Sequence, residues 1–156
     1  MVATFTSTET LVVNPAFLQE IKDSNPDLWH TVHQIGQVCE CDDEAAPISR
    51  QLARLLDDLR DQLALQFSLE ESYGYMVVPE HSTRALSELA TQTQSQHRML
   101  YVSLTELAEA AEELQYRGVE PNQLRILLQR TREFDQNLRD HEQTENELIE
   151  KSFDLS

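Results

Sequence analysis

The sequence predicts an all-α protein: an up-down antiparallel four-helix bundle preceded by a short N-terminal arm and helix. Three observations favour this fold class. Gly and Pro are scarce, at 3 and 5 of 156 residues, and the prolines stand where helices would begin. Leu, Glu, Gln and Ala, which suit helices, dominate from Pro47 onward. Apolar residues recur at steps of three and four, as on a helix with one buried face.

The first part of the chain is expected to lie outside the bundle. Residues 1–13 are rich in Thr and Val and have no helical period, so they predict an extended arm. A short helix then begins at Pro15 and runs to about Lys22. We therefore divide the chain into an N-terminal arm with a short helix, residues 1–24, and a bundle, residues 25–156.

The first bundle helix is expected from Pro26 to about Cys39. Asn25 is a good N-cap, and proline fits the first helical position. Cys39 and Cys41 flank a single residue, which is too close for an unstrained disulfide, and two thiols alone do not make a zinc site. Both cysteines are expected to be free.

Three longer helices complete the predicted bundle. One spans residues 47–73, and Gly74 is expected to end it in a left-handed conformation. The next begins within residues 79–82 and ends at Gly118, and the last runs from Pro121 nearly to the C-terminus. Their apolar stripes consist of Leu52, Leu55, Leu56, Leu59, Leu63 and Phe67; Leu86, Leu89, Leu100, Leu104, Leu107 and Leu114; and Leu124, Leu127, Leu128, Phe134, Leu138, Leu148 and Ile149.

The charge balance excludes some classes of partner. Lys and Arg number 12 against 28 Asp and Glu, a net charge of −16, which repels nucleic acids and anionic membranes but attracts cations. Solubility alone is the other explanation of this charge. No apolar run approaches the roughly 18–20 residues of a membrane span, and the start of the chain lacks the pattern of a secretory signal. We therefore expect a cytoplasmic protein.

Polar residues interrupt the apolar stripes at three places. His97 falls on the stripe of its helix, and His141 with Glu145, and Gln66 with Glu70, form inward pairs one turn apart. Burying a carboxylate without a partner costs several kcal/mol, so these groups need each other, water or a metal. Di-metal bundles are built from such inward Glu and His residues.

Each position also has a structural explanation. His97 can be a core histidine with its hydrogen bonds satisfied. His141 and Glu145 can be a helix-stabilising pair worth roughly 0.2–0.5 kcal/mol. Gln66 and Glu70 can lie at the edge of the stripe, in water.

Three segments resemble bacterial hemerythrin-like (HHE cation-binding) domains, over about residues 26–151. That family is a four-helix bundle that usually holds two irons, which carboxylates bridge and histidines bind, and its members bind or sense oxygen or iron. The segments that carry the resemblance are 55–71, 96–100 and 141–146.

The resemblance implies a metal site. The His-then-Glu motif is present on the last helix, the Glu of the matching motif is kept on the second, and one histidine is kept on the third. On the first bundle helix, a histidine bordering the apolar side is a further candidate. The implied metal ligands are His33, Glu70, His97, His141 and Glu145.

The sequence also departs from the family pattern. Gln66 replaces the histidine of the second-helix motif, Gln62 stands where relatives often show another, and Tyr101 stands at the second histidine position of the third helix. An amide oxygen is a weaker iron ligand than imidazole. We therefore expect at most a single cation, iron or another divalent ion, and not a di-iron centre that binds oxygen reversibly.

Two functions remain open at this point. The first is a hemerythrin-like cation-binding protein with a reduced His/carboxylate site. The alternative is a metal-free structural or protein-interaction bundle, in which Tyr101 and Gln66 fill the space of lost ligands and the partner is another chain or a copy of itself. An enzyme is not expected, because the sequence lacks a Ser/His/Asp arrangement, a phosphate-binding glycine loop and a nucleotide fingerprint.

Overall fold

Five α-helices, one π-helical turn and a two-stranded sheet make up the computed structural model, which describes residues 9–79 and 84–154. The mostly helical character predicted from the sequence is confirmed. Among the described helices, none is both long enough and apolar enough to cross a bilayer. In chain order the elements are β1 (Glu9–Val13), α1 (Pro15–Asp23), α2 (Pro26–Cys39), α3 (Ala45–Leu69), the π-helical turn (Glu70–Gly74), β2 (Tyr75–Pro79), α4 (Arg84–Arg117) and α5 (Pro121–Asp154).

Prolines mark the starts of three helices, as predicted. Helices α1, α2 and α5 begin at Pro15, Pro26 and Pro121. The Asn14 side chain caps α1 by accepting a hydrogen bond from the Phe17 backbone N–H at 3.1 Å. Proline suits these positions because its missing N–H would have no helical partner there.

Other boundaries differ from the prediction. Asn25 precedes α2 but, within the described residues, its side chain makes no capping hydrogen bond; it donates to Gln66 instead. Gly74 does not end a helix in the left-handed region; of the glycines in the described residues, Gly118 alone has a positive φ, at 89°. Pro79 ends β2 and does not begin α4, and the rest of that expected start, residues 80–82, lies outside the described residues.

The main apolar cluster is built by α2, α3, α4 and α5. Helix α4 packs against both α3 and α5, and α2 packs against α3. The stripes predicted from the sequence supply most of the cluster, so their inward orientation is confirmed. Its buried members include Leu28, Val32, Ile35, Leu52, Leu56, Leu59, Leu63, Phe67, Leu104, Leu107, Leu127, Phe134 and Leu138.

A second apolar cluster lies beside the sheet, and we call it the strand-side cluster. Strands β1 and β2 pair antiparallel, from Glu9 opposite Pro79 to Val13 opposite Tyr75. The extended arm expected for residues 1–13 is thus a strand over its described part. The buried members of the strand-side cluster are Val13, Leu18, Tyr75, Ala90, Leu148 and Ile149.

Gly74 allows α1 to pack closely against the π-helical turn. A Cβ atom at Gly74 would lie 2.7 Å from Cδ1 and 3.3 Å from Cβ of Leu18, which is fully buried and has little room to move. We expect Gly74→Ala to lower the free energy of unfolding by about 1–3 kcal/mol through overpacking.

Gly36 provides the matched control. It lies inside α2, and within the described residues no atom outside its own helix backbone and neighbours lies within 4 Å of a Cβ added there. Gly36→Ala should therefore raise the free energy of unfolding by about 0.5–1 kcal/mol. Urea unfolding of both variants measures the difference, and shifts of equal sign would contradict the close packing at Gly74.

Candidate metal centre

Seven of the buried polar side chains form a layer between the two apolar clusters. Helix α4 passes from the strand-side cluster at Ala90, through His97, to the main cluster at Leu100, and α5 crosses the same layer at Glu145. Apolar groups on both sides keep water away, so charges in the layer must be neutralised locally. The buried residues of this polar layer are Lys22, Gln66, Glu70, Thr93, His97, His141 and Glu145.

Glu70 is the first residue of the π-helical turn and is 1% exposed. Its Oε2 accepts a hydrogen bond from Nε2 of Gln66 at 3.0 Å, and Oε1 of Gln66 accepts from Nδ2 of Asn25 at 2.9 Å. Glu70 Oε1, in contrast, is buried without a hydrogen-bond partner in the described part of the chain. One oxygen of Glu70 thus accepts a hydrogen bond, and the other faces Nε2 of His97 without an aligned hydrogen bond.

His97 faces two carboxylates through one nitrogen and a third through the other. Its Nε2 lies 3.1 Å from Glu70 Oε1 and 3.4 Å from Glu145 Oε2 without the alignment of a hydrogen bond, and its Nδ1 lies 2.9 Å from Glu71 Oε2. The ring stacks on Phe67 with centroids 4.0 Å apart. Burial alone would lower the pKa of His97, but its contacts with Glu145 and Glu70 raise the pKa to about 10. Without a metal, the imidazole of His97 is therefore protonated at both nitrogens and positively charged at neutral pH.

His141 is held in the opposite protonation state. Its Nδ1 lies 2.6 Å from Oε1 of Gln96, an acceptor, so Nδ1 carries the hydrogen. Burial lowers the pKa of His141 to about 4 although Glu145 acts to raise it. The neutral ring therefore directs a free lone pair on Nε2 toward Glu145, whose Oε1 is 3.6 Å away.

Glu145 lies at the centre of the polar layer and is fully buried. Its Oε2 accepts a hydrogen bond from the Tyr75 hydroxyl at 2.5 Å, and that hydroxyl lies 2.8 Å from Thr93 Oγ1. Burial opposes ionisation, but His97 and Lys22 outweigh it and lower the pKa of Glu145. The pKa of Tyr75 is raised by burial and by the charge of Glu145, so the phenol stays neutral and donates.

Lys22 brings a buried ammonium group to the same carboxylates. Its Nζ lies 2.6 Å from Glu145 Oε1, 2.7 Å from Glu142 Oε2 and 3.7 Å from Glu70 Oε2. Burial disfavours its charge, but Glu145, Glu70 and Glu142 together raise the pKa of Lys22. The pKa of Glu142 is itself raised by burial, against the effect of Lys22. The ammonium is therefore a permanent cation within the polar layer.

Three buried atoms that lack hydrogen bonds indicate whether these residues fit a metal ion. In residues 9–79 and 84–154, Glu70 Oε1, His97 Nε2 and His141 Nε2 are buried without a hydrogen-bond partner. Ligand atoms of His97, His141 and Glu145 lie within 4.8 Å of one another. Bonds to zinc are roughly 2.0–2.2 Å, so the ligands of one ion lie within roughly 4.4 Å of each other. Small side-chain shifts would therefore let these groups share an ion.

Two surface clefts lead to the two histidines. One, of about 280 Å³, is lined by α3 and α4 residues and reaches His97 beside Phe67 and Tyr101. The other, of about 360 Å³, lies between α4 and α5 and reaches His141 beside Asp140. One histidine of the polar layer thus lines each cleft.

The sequence located the centre of this layer correctly. Glu70, His97, His141 and Glu145 were predicted to face inward, and their burial and mutual contacts confirm this orientation. Their role as metal ligands stays a prediction. The solvent-exposed explanation of Glu70 is wrong, because its side chain is 1% exposed and contacts Lys22 of α1 and His97 of α4.

His33 was also predicted as a metal ligand, but the structure does not place it in the polar layer. His33 is exposed, one position round the helix from the buried Val32, so it faces solvent. Tyr101 likewise does not fill the core in place of a lost ligand, because it is 38% exposed at the mouth of the cleft over His97. Gln66 is buried as expected and is hydrogen-bonded to Glu70.

Three residues of the site were not predicted from the sequence. Lys22 follows the buried Leu18 by four residues on α1, so the stripe argument applied to the longer helices would have placed it inward. Glu142 is partly buried and reaches Lys22 from the flank of α5. Tyr75 gave no such signal, because its position depends on the pairing of β2 with β1.

The cysteines lie outside this site and are free, as predicted, with Cys39 buried and Cys41 exposed. Burial raises the pKa of the Cys39 thiol to about 11. We expect a thiol reagent at neutral pH to modify Cys41 rapidly in the native protein and Cys39 only after unfolding. Mass spectrometry of the modified protein measures this, with Cys41→Ser as the control. Rapid native labelling of Cys39 would contradict its burial.

Comparisons with models of protein families, with curated proteins and with solved structures found no match.

Proposed function

We propose that this chain is a hemerythrin-like cation-binding protein, an up-down four-helix bundle that binds one divalent metal ion, iron or another transition metal. The ligands are the two carboxylates Glu70 and Glu145 and the two imidazoles His97 and His141. The observation that carries the proposal is the group formed by His97, His141 and Glu145, whose ligand atoms lie within 4.8 Å of one another, with Glu70 Oε1 3.1 Å from His97 Nε2 and none of these three atoms, Glu70 Oε1, His97 Nε2 and His141 Nε2, in an aligned hydrogen bond within the described residues.

The three buried atoms without hydrogen bonds support metal binding, because burying such atoms destabilises the folded protein. A buried acceptor or donor without a partner costs roughly 1–3 kcal/mol, and proteins usually satisfy such groups. His97 and His141 form, with Glu145, a group whose ligand atoms lie within 4.8 Å of one another, and Glu70 Oε1 lies 3.1 Å from Nε2 of His97. A shared cation would satisfy all of them at once.

The donor set supports a transition metal. Imidazole suits iron, zinc, copper and nickel, whereas carboxylates alone favour harder ions. A hydrogen bond at Nδ1 also orients both histidines. His97 bonds to Glu71 and His141 bonds to Gln96. Such partners fix the ring and direct Nε2 at the metal, as is usual for ligating histidines.

A second candidate is a metal-free interaction bundle, and one observation favours it. Lys22 and protonated His97 already place two positive charges against the carboxylates of Glu70 and Glu145. The polar layer is therefore close to neutral without a metal. This candidate predicts a melting temperature that responds neither to chelators nor to added iron, because a ligand stabilises only a state that it binds.

Metal content separates the two candidates. Protein purified without chelator, and then reconstituted with ferrous iron under anaerobic conditions and desalted, should hold about one equivalent of iron by elemental analysis. His141→Ala should lose it, whereas His33→Ala, a control at an exposed histidine, should keep it. Less than about a tenth of an equivalent in the reconstituted wild type would contradict the proposed function.

A further inference from the structure

The carboxylates of Glu70 and Glu145 face two positions, and both positions attract cations. On one side, Glu70 Oε1 and Glu145 Oε2 lie 3.1 Å and 3.4 Å from His97 Nε2. On the other side, Glu145 Oε1 and Glu70 Oε2 lie 2.6 Å and 3.7 Å from Nζ of Lys22. The two carboxylates therefore stand between the histidine position and the ammonium position.

The ammonium position has the composition of a cation site. Three carboxylates, from Glu70, Glu142 and Glu145, surround Lys22 Nζ, whose side chain is 5% exposed. Carboxylate oxygens are the ligands that iron, manganese and magnesium accept in proteins. Among the described contacts, the carboxylate of Glu142 pairs with Lys22 and with no histidine.

We infer that the ammonium group of Lys22 occupies a second cation position, so that the carboxylates of Glu70 and Glu145 join one metal ion to one lysine. This inference rests on the proposed function for the first position. It assigns Lys22 a specific role: the lysine limits the protein to one metal ion by supplying the other positive charge from its own chain.

The geometry explains why the lysine excludes a metal. An ion at the position of Nζ would need the same oxygens of Glu142 and Glu145 that now accept hydrogen bonds at 2.7 Å and 2.6 Å. A positive charge already there also repels a second cation. If Lys22 is shortened, the three carboxylates remain, and the space of its side chain becomes open to an ion and water.

Iron counts in four variants test the inference. After anaerobic reconstitution with ferrous iron, we expect about one equivalent in the wild type and about two in Lys22→Ala. Lys22→Met removes the charge but fills the space, so it should hold about one equivalent. Glu142→Gln should keep about one, and Lys22→Ala with Glu142→Gln should return to about one.

The outcomes separate the inference from the proposed function. A wild-type count near one with an unchanged count in Lys22→Ala would leave the proposed function standing and overturn the inference. A wild type without iron and a Lys22→Ala variant with iron would support Lys22 as the cation and overturn the proposed function. Two buried irons in the wild type, or a second iron in Lys22→Met, would overturn the inference.

The inference can be tested even if the Lys22→Ala variant does not fold without iron. Circular dichroism with and without iron shows whether the metal restores a fold that the variant loses alone, which would support the inference. If the variant does not fold under either condition, Glu142→Gln decides: it should keep the wild-type iron count, because Glu142 contacts the ammonium and not the histidines. Loss of iron in Glu142→Gln would overturn the inference.

Discussion

Replacing Lys22 with methionine is expected to lower the free energy of unfolding of the metal-free protein by about 3–5 kcal/mol. The substitution keeps an unbranched side chain one atom shorter but removes the cation that lies 2.6 Å from Glu145 and 3.7 Å from Glu70. Both carboxylates are at most 1% exposed, so water cannot replace the ammonium without opening the polar layer. Urea unfolding in the presence of a chelator measures the effect.

Lys151→Met is the control, because Lys151 is the only other lysine and is exposed near the end of α5. It should change the free energy of unfolding by less than about 0.5 kcal/mol. Added iron should recover part of the loss in Lys22→Met, since a metal ion restores positive charge to the same carboxylates. If Lys22→Met changed the free energy of unfolding as little as the control does, the ammonium would not be needed for stability.

Glu145→Gln is expected to reduce iron occupancy more than about tenfold after reconstitution and desalting. Glu145 is central to the site, because its oxygens lie near His97, His141, Lys22 and the Tyr75 hydroxyl. The amide keeps the shape of the side chain but removes the charge that an iron ligand supplies. Elemental analysis of the desalted protein measures the occupancy.

Glu147→Gln is the matched control for that variant. It makes the same chemical change two residues further along α5, where the side chain is exposed. It should retain the wild-type iron content. Equal occupancy in Glu145→Gln and the wild type would mean that iron binds elsewhere on this acidic chain.

Helical periodicity predicted the part of the site that regular helices present. His97, His141 and Glu145 lie on α4 and α5, where the apolar stripe fixes which face points inward, so their burial could be read from the spacing. His33 shows the limit of that argument. It lies beside the stripe of α2, and a rotation of one residue about the helix is enough to turn a side chain into solvent.

The remaining parts depend on contacts between distant segments. Tyr75 reaches Glu145 because β2 pairs with β1, some sixty residues earlier in the chain, and a period within one segment carries no information about that pairing. The π-helical turn at Glu70–Gly74 replaced the predicted glycine stop, and α1 packs on it where Gly74 leaves room for Leu18. The spacing from Leu18 predicts that Lys22 faces inward, but its contacts with Glu142 and Glu145 depend on the packing of α1 against α5.

Anomalous X-ray diffraction from crystals of the iron-reconstituted protein tests the central claim most directly. We expect a single strong peak in the anomalous difference map at the iron edge, bounded by Glu70, His97, His141 and Glu145, with the ammonium of Lys22 on the far side of the two carboxylates. A map without a peak among these side chains, or with iron at the exposed His33 instead, would contradict it.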